Sequence, residues 1–285
     1  MAETIAAEAG TEARRGPLIY RQRLTTRLTH WLWALALFFL LLSGLQIFMA
    51  RPDLYIGQQS GFAFDNTVFS IGAVREAGEL RGQTTLFGET FDTTGWLGVV
   101  TENGQTQVKS FPGWMTAPGY RDLATGRVVH FFFAWILVVT LSVWLAASLL
   151  NGHIRQLIPT LRDVKHLPRD AADHLRLRFH RSADYNVLQK LSYAVILLIV
   201  LPLMILTGLT MSPGVNAVAP WMLDLFGGRQ TARTLHFAGM LLLVLFVLVH
   251  LLMVLVAGPF NELRSIVTGW YRTDPRKDTK GDAAR

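Results

Sequence analysis

Four long apolar blocks alternate with polar segments along the chain. They cover residues 31–50, 128–150, 191–211 and 235–257. Each block approaches the ~20 residues that a helix needs to cross about 30 Å of hydrocarbon. The pattern therefore predicts four membrane-spanning helices. The first block begins too late and is too long for the apolar region of a signal peptide, so we interpret it as a helix as well.

The two longest polar segments differ in character. Residues 51–127 contain twelve glycines, eight carboxylates and six cations. Their short runs between turn residues predict strands and turns, and Asn103-Gly104 is a hairpin signal. Residues 151–190 begin with the helix stop Asn151-Gly152 and continue with a short amphipathic helix that we expect at the membrane surface.

Composition and charge also favour a membrane protein. The chain is 51% hydrophobic and 16% charged, whereas soluble domains are about 25% charged. The net charge of +7 comes from residues beside the apolar blocks rather than from one basic domain, so nucleic acid is not an expected partner. Alternate polar segments carry nineteen Lys and Arg against eight in the others. This bias places both termini and residues 151–190 in the cytoplasm, with an inverted chain as the alternative.

These patterns predict an all-α membrane protein. The expected fold is a four-helix bundle with helices at about 24–50, 127–150, 187–211 and 233–257. Residues 51–126 form a small periplasmic insertion in this prediction. The polar ends, 1–17 and 272–285, are expected to be disordered in the cytoplasm.

Four of the eight histidines lie in the apolar blocks or at their first turns: His30, His130, His236 and His250. A titratable ring in hydrocarbon is costly, so it usually faces the bundle interior and has a partner. His130 and His236 both begin helices that run inward, which puts their rings at one depth. His250 follows His236 by fourteen positions, about 21 Å along the axis and within about 40° of the same face. This predicts an outer pair, His130 with His236, and an inner pair, His30 with His250.

The residue types suggest which metal these pairs hold. The sequence contains no cysteine, which excludes disulfides, thiolate-bound zinc, iron–sulfur clusters and covalently attached c-type haem. Two separate histidine pairs without nearby carboxylates suit iron in a macrocycle that supplies the other four ligands. We therefore expect two b haems. A helix–helix hydrogen bond is the alternative for each histidine, and His153 competes with His30 for the inner site.

Three arginines, Arg27, Arg127 and Arg233, each precede a candidate ligand by three residues. The guanidinium then lies one turn closer to water than the imidazole, where haem propionates would project. We predict propionate contacts, and the alternative is an arginine that snorkels to the surface. Small residues are also expected to let the macrocycle approach the backbone: Gly44, Gly208 and Gly239.

A weak internal similarity relates the two halves of the chain. The second and fourth helices both begin with R-x-x-H-F, at 127–131 and 233–237. The first and third share Ser43-Gly44-Leu45 and Thr207-Gly208-Leu209 near their outer ends. We interpret this as two related helical hairpins.

With RLTHW at 27–31, RVVHF at 127–131, and RTLHF at 233–237 followed by His250, the chain resembles the bacterial cytochrome b561 / nickel–iron hydrogenase cytochrome b superfamily. Within it, the resemblance is to the thiosulfate-reductase-type cytochrome b subunits, and it covers residues 18–271. It implies a di-haem four-helix subunit of the bacterial inner membrane.

The same resemblance implies that such a subunit transfers electrons between the quinone pool and a periplasmic oxidoreductase, molybdenum-containing or related. We expect this partner to dock on the outward segments 51–127 and 212–233. The resemblance also implies a quinone site near the inner haem, at the start of the third helix. The candidate residues there could instead be ordinary interface residues: Asn186, Gln189, Lys190 and Tyr193.

Two other classes of function remain open from the sequence. A stand-alone membrane haem oxidoreductase, of the superoxide:quinone or metal reductase type, would work without a partner. A transporter or anchor would bind no haem, but the apolar blocks contain no Asp or Glu and one main break, Pro202. No nucleotide-binding glycine motif occurs, so nicotinamide and nucleotide hydrolysis are not indicated.

Overall fold

The computed structural model describes residues 16–176 and 186–275. Most of the two predicted disordered ends, 1–17 and 272–285, lies outside these residues. The described chain contains four helices that are long and apolar enough to cross a membrane, which confirms the four predicted spans. They are α1 (Leu24–Phe48), α2 (Leu123–Leu150), α5 (Val187–Met211) and α8 (Arg229–Ala257).

Shorter helices connect or follow the membrane helices. They are α3 (Ile154–Leu157), α4 (Leu161–Leu175), α6 (Pro213–Val218), α7 (Trp221–Leu225) and α9 (Pro259–Thr268). Helix α5 contains one π-helical stretch, Ile196–Val200. Pro202 lies two residues after this stretch, and because proline has no backbone N–H the regular hydrogen-bond ladder is interrupted there.

Eight strands occur in the described residues, so the all-α class holds for the membrane helices, while the insertion contains strands and turns as its sequence predicts. The strands are β1 (Leu18–Tyr20), β2 (Asp53–Tyr55), β3 (Thr67–Glu76), β4 (Glu79–Leu86), β5 (Glu89–Asp92), β6 (Gly98–Glu102), β7 (Gln105–Lys109) and β8 (Trp270–Arg272). Most belong to the insertion between α1 and α2, where polar alternation and X-Gly turns favour hairpins over helices.

The insertion folds as two antiparallel sheets, which we call the cap. One sheet has the order β2-β3-β4-β5 and the other is the β6–β7 hairpin. Three of the hairpin turns are X-Gly pairs with positive φ at both residues: Ala77-Gly78, Phe87-Gly88 and Asn103-Gly104. Such turns match the twist of antiparallel strands. The predicted hairpin at Asn103-Gly104 is therefore confirmed.

The described chain divides into two compact units. The cap unit comprises residues 32–142 and 197–245, and the terminal unit comprises the described parts of 1–31, 143–196 and 246–285.

In the cap unit, the sheet packs on the ends of two membrane helices. Phe48 at the end of α1 lies 4.6 Å from Phe237 of α8, and Phe69 of β3 lies 5.6 Å from the same ring (centroid distances). Buried Ile71 and Phe111 complete this apolar core.

The terminal unit joins the two ends of the chain. β1 pairs antiparallel with β8, so that Leu18 lies opposite Arg272. The Asn261 side chain of α9 accepts from the Arg272 N–H at 3.0 Å and donates to its carbonyl at 2.9 Å. Strand β8 is therefore fastened both to β1 and to α9.

Candidate functional site

In the cap unit, α2 and α8 bring together the histidines of the predicted outer pair. The ring centroids of His130 and His236 are 6.4 Å apart, with 61° between the ring planes. A metal–imidazole bond is about 2.0 Å and the ring centroid lies roughly 1.1 Å behind the nitrogen, so two imidazoles on opposite sides of one metal have centroids about 6.2 Å apart. The spacing of these rings fits a shared metal.

A buried hydroxyl favours one tautomer of His130. Ser43 is fully buried, and its hydroxyl lies 2.5 Å from the Phe39 carbonyl, to which it can donate its one hydrogen. Ser43 Oγ, 3.1 Å from His130 Nδ1, then accepts from an Nδ1–H group, the tautomer that leaves the Nε2 lone pair available for a metal.

The partner histidine is held in the same way. Thr207 is fully buried, donates its hydroxyl hydrogen to the Leu203 carbonyl at 2.7 Å and lies 2.9 Å from His236 Nδ1. Hydrogen bonds of this kind orient a ligating histidine and make it a stronger donor. Both histidines thus present Nε2 as the free nitrogen.

Glycines make room for both rings. A Cβ at Gly44 would lie 3.3 Å from His130 Cε1, and one at Gly208 would lie 3.4 Å from His236 Cε1. In each Ser/Thr-Gly pair noted in the sequence, on α1 and on α5, the glycine therefore leaves space for a histidine ring. At Gly239 the neighbour is instead the Met204 side chain, whose sulfur would lie 2.6 Å from a Cβ.

In the terminal unit, α1 and α8 bring together the predicted inner pair. The ring centroids of His30 and His250 are 6.3 Å apart, with 54° between the planes. Phe246 stacks on His250 at 5.8 Å. His30 Nδ1 is buried and has no hydrogen-bond partner among the described residues. The rings of this second pair have the same spacing as those of the first. No hydroxyl among the described residues bonds to His30 Nδ1, whereas Ser43 and Thr207 lie beside the rings of the first pair.

Two histidines alone do not complete the coordination of a metal ion. Among the described residues, no group of three or more His, Asp or Glu side chains could hold a metal. A haem iron needs only two axial ligands from the protein because the macrocycle supplies four nitrogens. Paired imidazoles at this spacing therefore fit haem, and the lack of cysteine in the sequence makes it b-type.

The three arginines predicted to contact propionates have protein contacts of their own. The Arg27 guanidinium donates to the Val267 carbonyl at the end of α9, and its Nε is buried without a partner in the described chain. Arg233 donates to the Arg51 carbonyl. The guanidinium of Arg127 lies 5.7 Å from the centre of the Phe131 ring. Propionate contact stays a prediction for all three.

The residues predicted to bind quinone take part in local structure at the start of α5. Asn186 and Gln189 form a reciprocal capping box. Lys190 forms an ion pair with Asp163 of α4 at 3.2 Å, with both side chains 20% exposed. Tyr193 lies one turn further along the same helix. Asn186, Gln189 and Lys190 therefore have roles in the local structure that do not require a bound quinone. The quinone site stays a prediction.

The cap fastens the first turns of α8, the helix that carries His236. The Gly57 N–H donates to Thr231 Oγ1 at 2.7 Å, and the Thr234 hydroxyl donates to the Tyr55 carbonyl at 2.7 Å. Gln230 adds a bond to the Ser60 hydroxyl at 2.8 Å. The segment 55–60 is therefore a strap that holds the start of this helix.

Paired histidines on helices that can span a membrane, with no cysteine or carboxylate beside them, define the class of membrane b-type cytochromes. A comparison with family models agrees: the prokaryotic cytochrome b561 model matches residues 111–269. The chain belongs to this family. It is therefore a multi-pass protein of the bacterial inner membrane and a haem b electron-transfer subunit.

A relative among characterised sequences comes from Azospira oryzae. Its provisional name is protein-methionine-sulfoxide reductase subunit YedZ1, and it is 30% identical over 127 residues. The match covers 44% of this chain and 62% of the relative.

Proposed function

We propose that the chain binds two b haems, one between His130 and His236 and one between His30 and His250, and transfers electrons across the inner membrane. The observation that carries this proposal is the separation of the two ring pairs, 6.4 and 6.3 Å. Haem supplies reversible one-electron chemistry when bound. The chain's own contribution is to supply axial nitrogens, orient them and exclude water from them.

The proposed electron partners are quinone on the cytoplasmic side and an oxidoreductase subunit in the periplasm. The excess of Lys and Arg in alternate segments supports cytoplasmic termini and a periplasmic cap. The partner would dock on residues 51–127 and 212–233. A molybdenum enzyme is our first proposal for it. The name of the Azospira relative supports a reductase of oxidised methionine as the reaction served.

Quinone would exchange electrons in the terminal unit, which contains both His30 and the start of α5. Lys190 and Tyr193 lie on that part of α5. A substitution of Lys190 would also break its ion pair with Asp163, so Tyr193→Phe, which removes a single hydroxyl and no charge, is the simpler test of quinone binding. The expected effect of Tyr193→Phe is a several-fold higher KM for quinone at unchanged haem content.

Haem counting tests the proposal directly. A pyridine haemochrome assay with protein quantitation should find two b haems per chain in the wild type. His130→Ala and His250→Ala should each lose one haem, and the remaining haem should differ in spectrum or midpoint potential between the two variants. His153→Ala, which changes a histidine outside both pairs, should keep both haems.

Loss of the same haem from both variants would mean a single shared site and would refute the two-site assignment. A colourless wild-type protein would favour the transporter or anchor. Superoxide:quinone or metal reductase activity in the purified chain, with no added subunit, would favour the stand-alone oxidoreductase.

A further inference from the structure

Apolar side chains cluster at one end of the cap, in the turn between β4 and β5. Phe87 is 77% exposed, Phe91 is 54% exposed and Leu86 is 43% exposed. We call residues 86–91 the hairpin tip. Phe87 adopts φ +48°, a conformation that is unfavourable for a bulky side chain. Contact with water does not stabilise an exposed aromatic ring, and the strained turn adds a cost in free energy. We infer from this that another apolar phase covers the ring.

Strand register locates the hairpin tip relative to the membrane helices. Leu86 lies opposite Phe69 in the β3–β4 pair. The Phe69 ring packs 6.3 Å from Phe48, the last residue of α1, and 5.6 Å from Phe237 of α8. The hairpin tip is therefore the end of the sheet that lies nearest to the ends of these helices.

The opposite end of strand β4 is charged. There the turn Ala77-Gly78 joins β3 to β4, and Glu76 and Glu79 face each other across the strands. Arg81 forms ion pairs with Glu76 at 3.6 Å and with Asp92 at 3.5 Å, and all three side chains are exposed. Strand β4 thus runs from these ion pairs to the hairpin tip near the membrane helices, which is the arrangement expected where one end of a sheet meets a membrane surface.

We propose that the hairpin tip inserts into the lipid leaflet on the cap side, as a membrane anchor for the cap. Phe48 and Phe237, on which Phe69 packs, belong to two of the helices that can span a membrane. Aromatic rings favour the boundary between headgroups and acyl chains, about 5–10 Å into the leaflet. Glu89, which pairs with Leu86, keeps the insertion at that shallow depth.

The lack of native cysteine allows a direct test with single labels. Phe87→Cys and Ala77→Cys place one thiol in the turn at each end of strand β4, and both turns are of the same X-Gly type. Each variant would carry an environment-sensitive fluorophore and be reconstituted into nanodiscs of phosphatidylcholine and phosphatidylglycerol, with or without brominated acyl chains. The label at position 87 should emit at shorter wavelength and be quenched several-fold more by shallow bromine than the label at position 77.

Equal quenching and equal emission at the two positions would overturn the proposal and would leave a protein partner as the cover for this surface. Phe91→Cys provides a second label at the hairpin tip if Phe87→Cys does not fold, as judged by haem content. Since the comparison uses lipid contact alone, its result is independent of the assignment of the haem ligands.

Discussion

The hydroxyl of Thr207 offers the sharpest test of how the chain orients its outer histidines. Thr207→Ala removes the oxygen that accepts from His236 Nδ1 at 2.9 Å and adds no atom to a site that is fully buried. The ring then loses this acceptor in a place where water cannot replace it, and keeps its backbone hydrogen bond to Met204. Thr207→Ser keeps the hydroxyl and should restore the wild-type behaviour.

The size of the effect follows from the strength of one buried hydrogen bond. Such a bond contributes about 1 kcal/mol net, and an Nδ1–H bond makes the imidazole a stronger donor that favours the more positive Fe(III). A tenfold change in an equilibrium constant corresponds to about 59 mV for one electron. Only the part of this energy that differs between Fe(III) and Fe(II) changes the potential, so loss of the bond should raise the midpoint potential of one haem by at most about 40 mV.

A potentiometric titration of the haem absorbance would measure this shift. Ser43→Ala should raise the same midpoint, because Ser43 holds the other ligand of the same pair. Thr210→Ala is the matched control: Thr210 is also buried on α5, but its hydroxyl donates to the Leu206 carbonyl. If Thr207→Ala moved neither midpoint beyond the Thr210→Ala control, or moved both equally, the orienting role would be refuted.

Three further predictions concern other parts of the chain. Gly208→Val should cost one haem per chain in a haemochrome assay, since a branched side chain meets the His236 ring, whereas haem retained at wild-type level would contradict this role of the glycine. The Gly113 N–H and the Lys109 ammonium hold the pKa of the Glu102 carboxyl below its usual range. This carboxylate therefore stabilises the cap at neutral pH, and its contribution is lost as pH falls through the lowered pKa. The hydrogen-exchange protection factor around Gly113 should fall below about pH 4 in the wild type and be low at all pH values in Glu102→Gln. Asp163→Asn should lower stability by at most about 1 kcal/mol, because the ion pair with Lys190 is partly exposed, and should leave the KM for quinone unchanged; a raised KM would instead tie this pair to the quinone site.

The membrane helices were predictable because their signal is local. A run of about 20 apolar residues is visible in any short window of the sequence. The hairpin at Asn103-Gly104 was predictable for the same reason, as its turn chemistry is contained in two residues. The all-α class describes the membrane blocks, which dominate the composition. The short polar strands of the cap were predicted as strands and turns, but their order in the sheets was not.

The hydrogen-bond partners of the histidines were harder to predict from the sequence. Ser43 lies 87 positions from His130, and Thr207 lies 29 positions from His236. Their pairing depends on how helices face each other, which the apolar pattern does not specify. One signal was present: the matched Ser-Gly and Thr-Gly pairs. The sequence pattern indicates these pairs only as small residues, although each pair also places a hydroxyl beside a histidine ring.

The strap at residues 55–60 has a consequence for the order in which the chain assembles. The cap hairpins close between sequence neighbours, so they can form soon after these residues are synthesised. The strap bonds instead join residues 170 to 179 positions apart and must wait for the last membrane helix. Biogenesis should therefore pass through an intermediate with a folded cap and an unfastened strap, and a nascent chain stalled before Arg229 should expose residues 55–60 to protease.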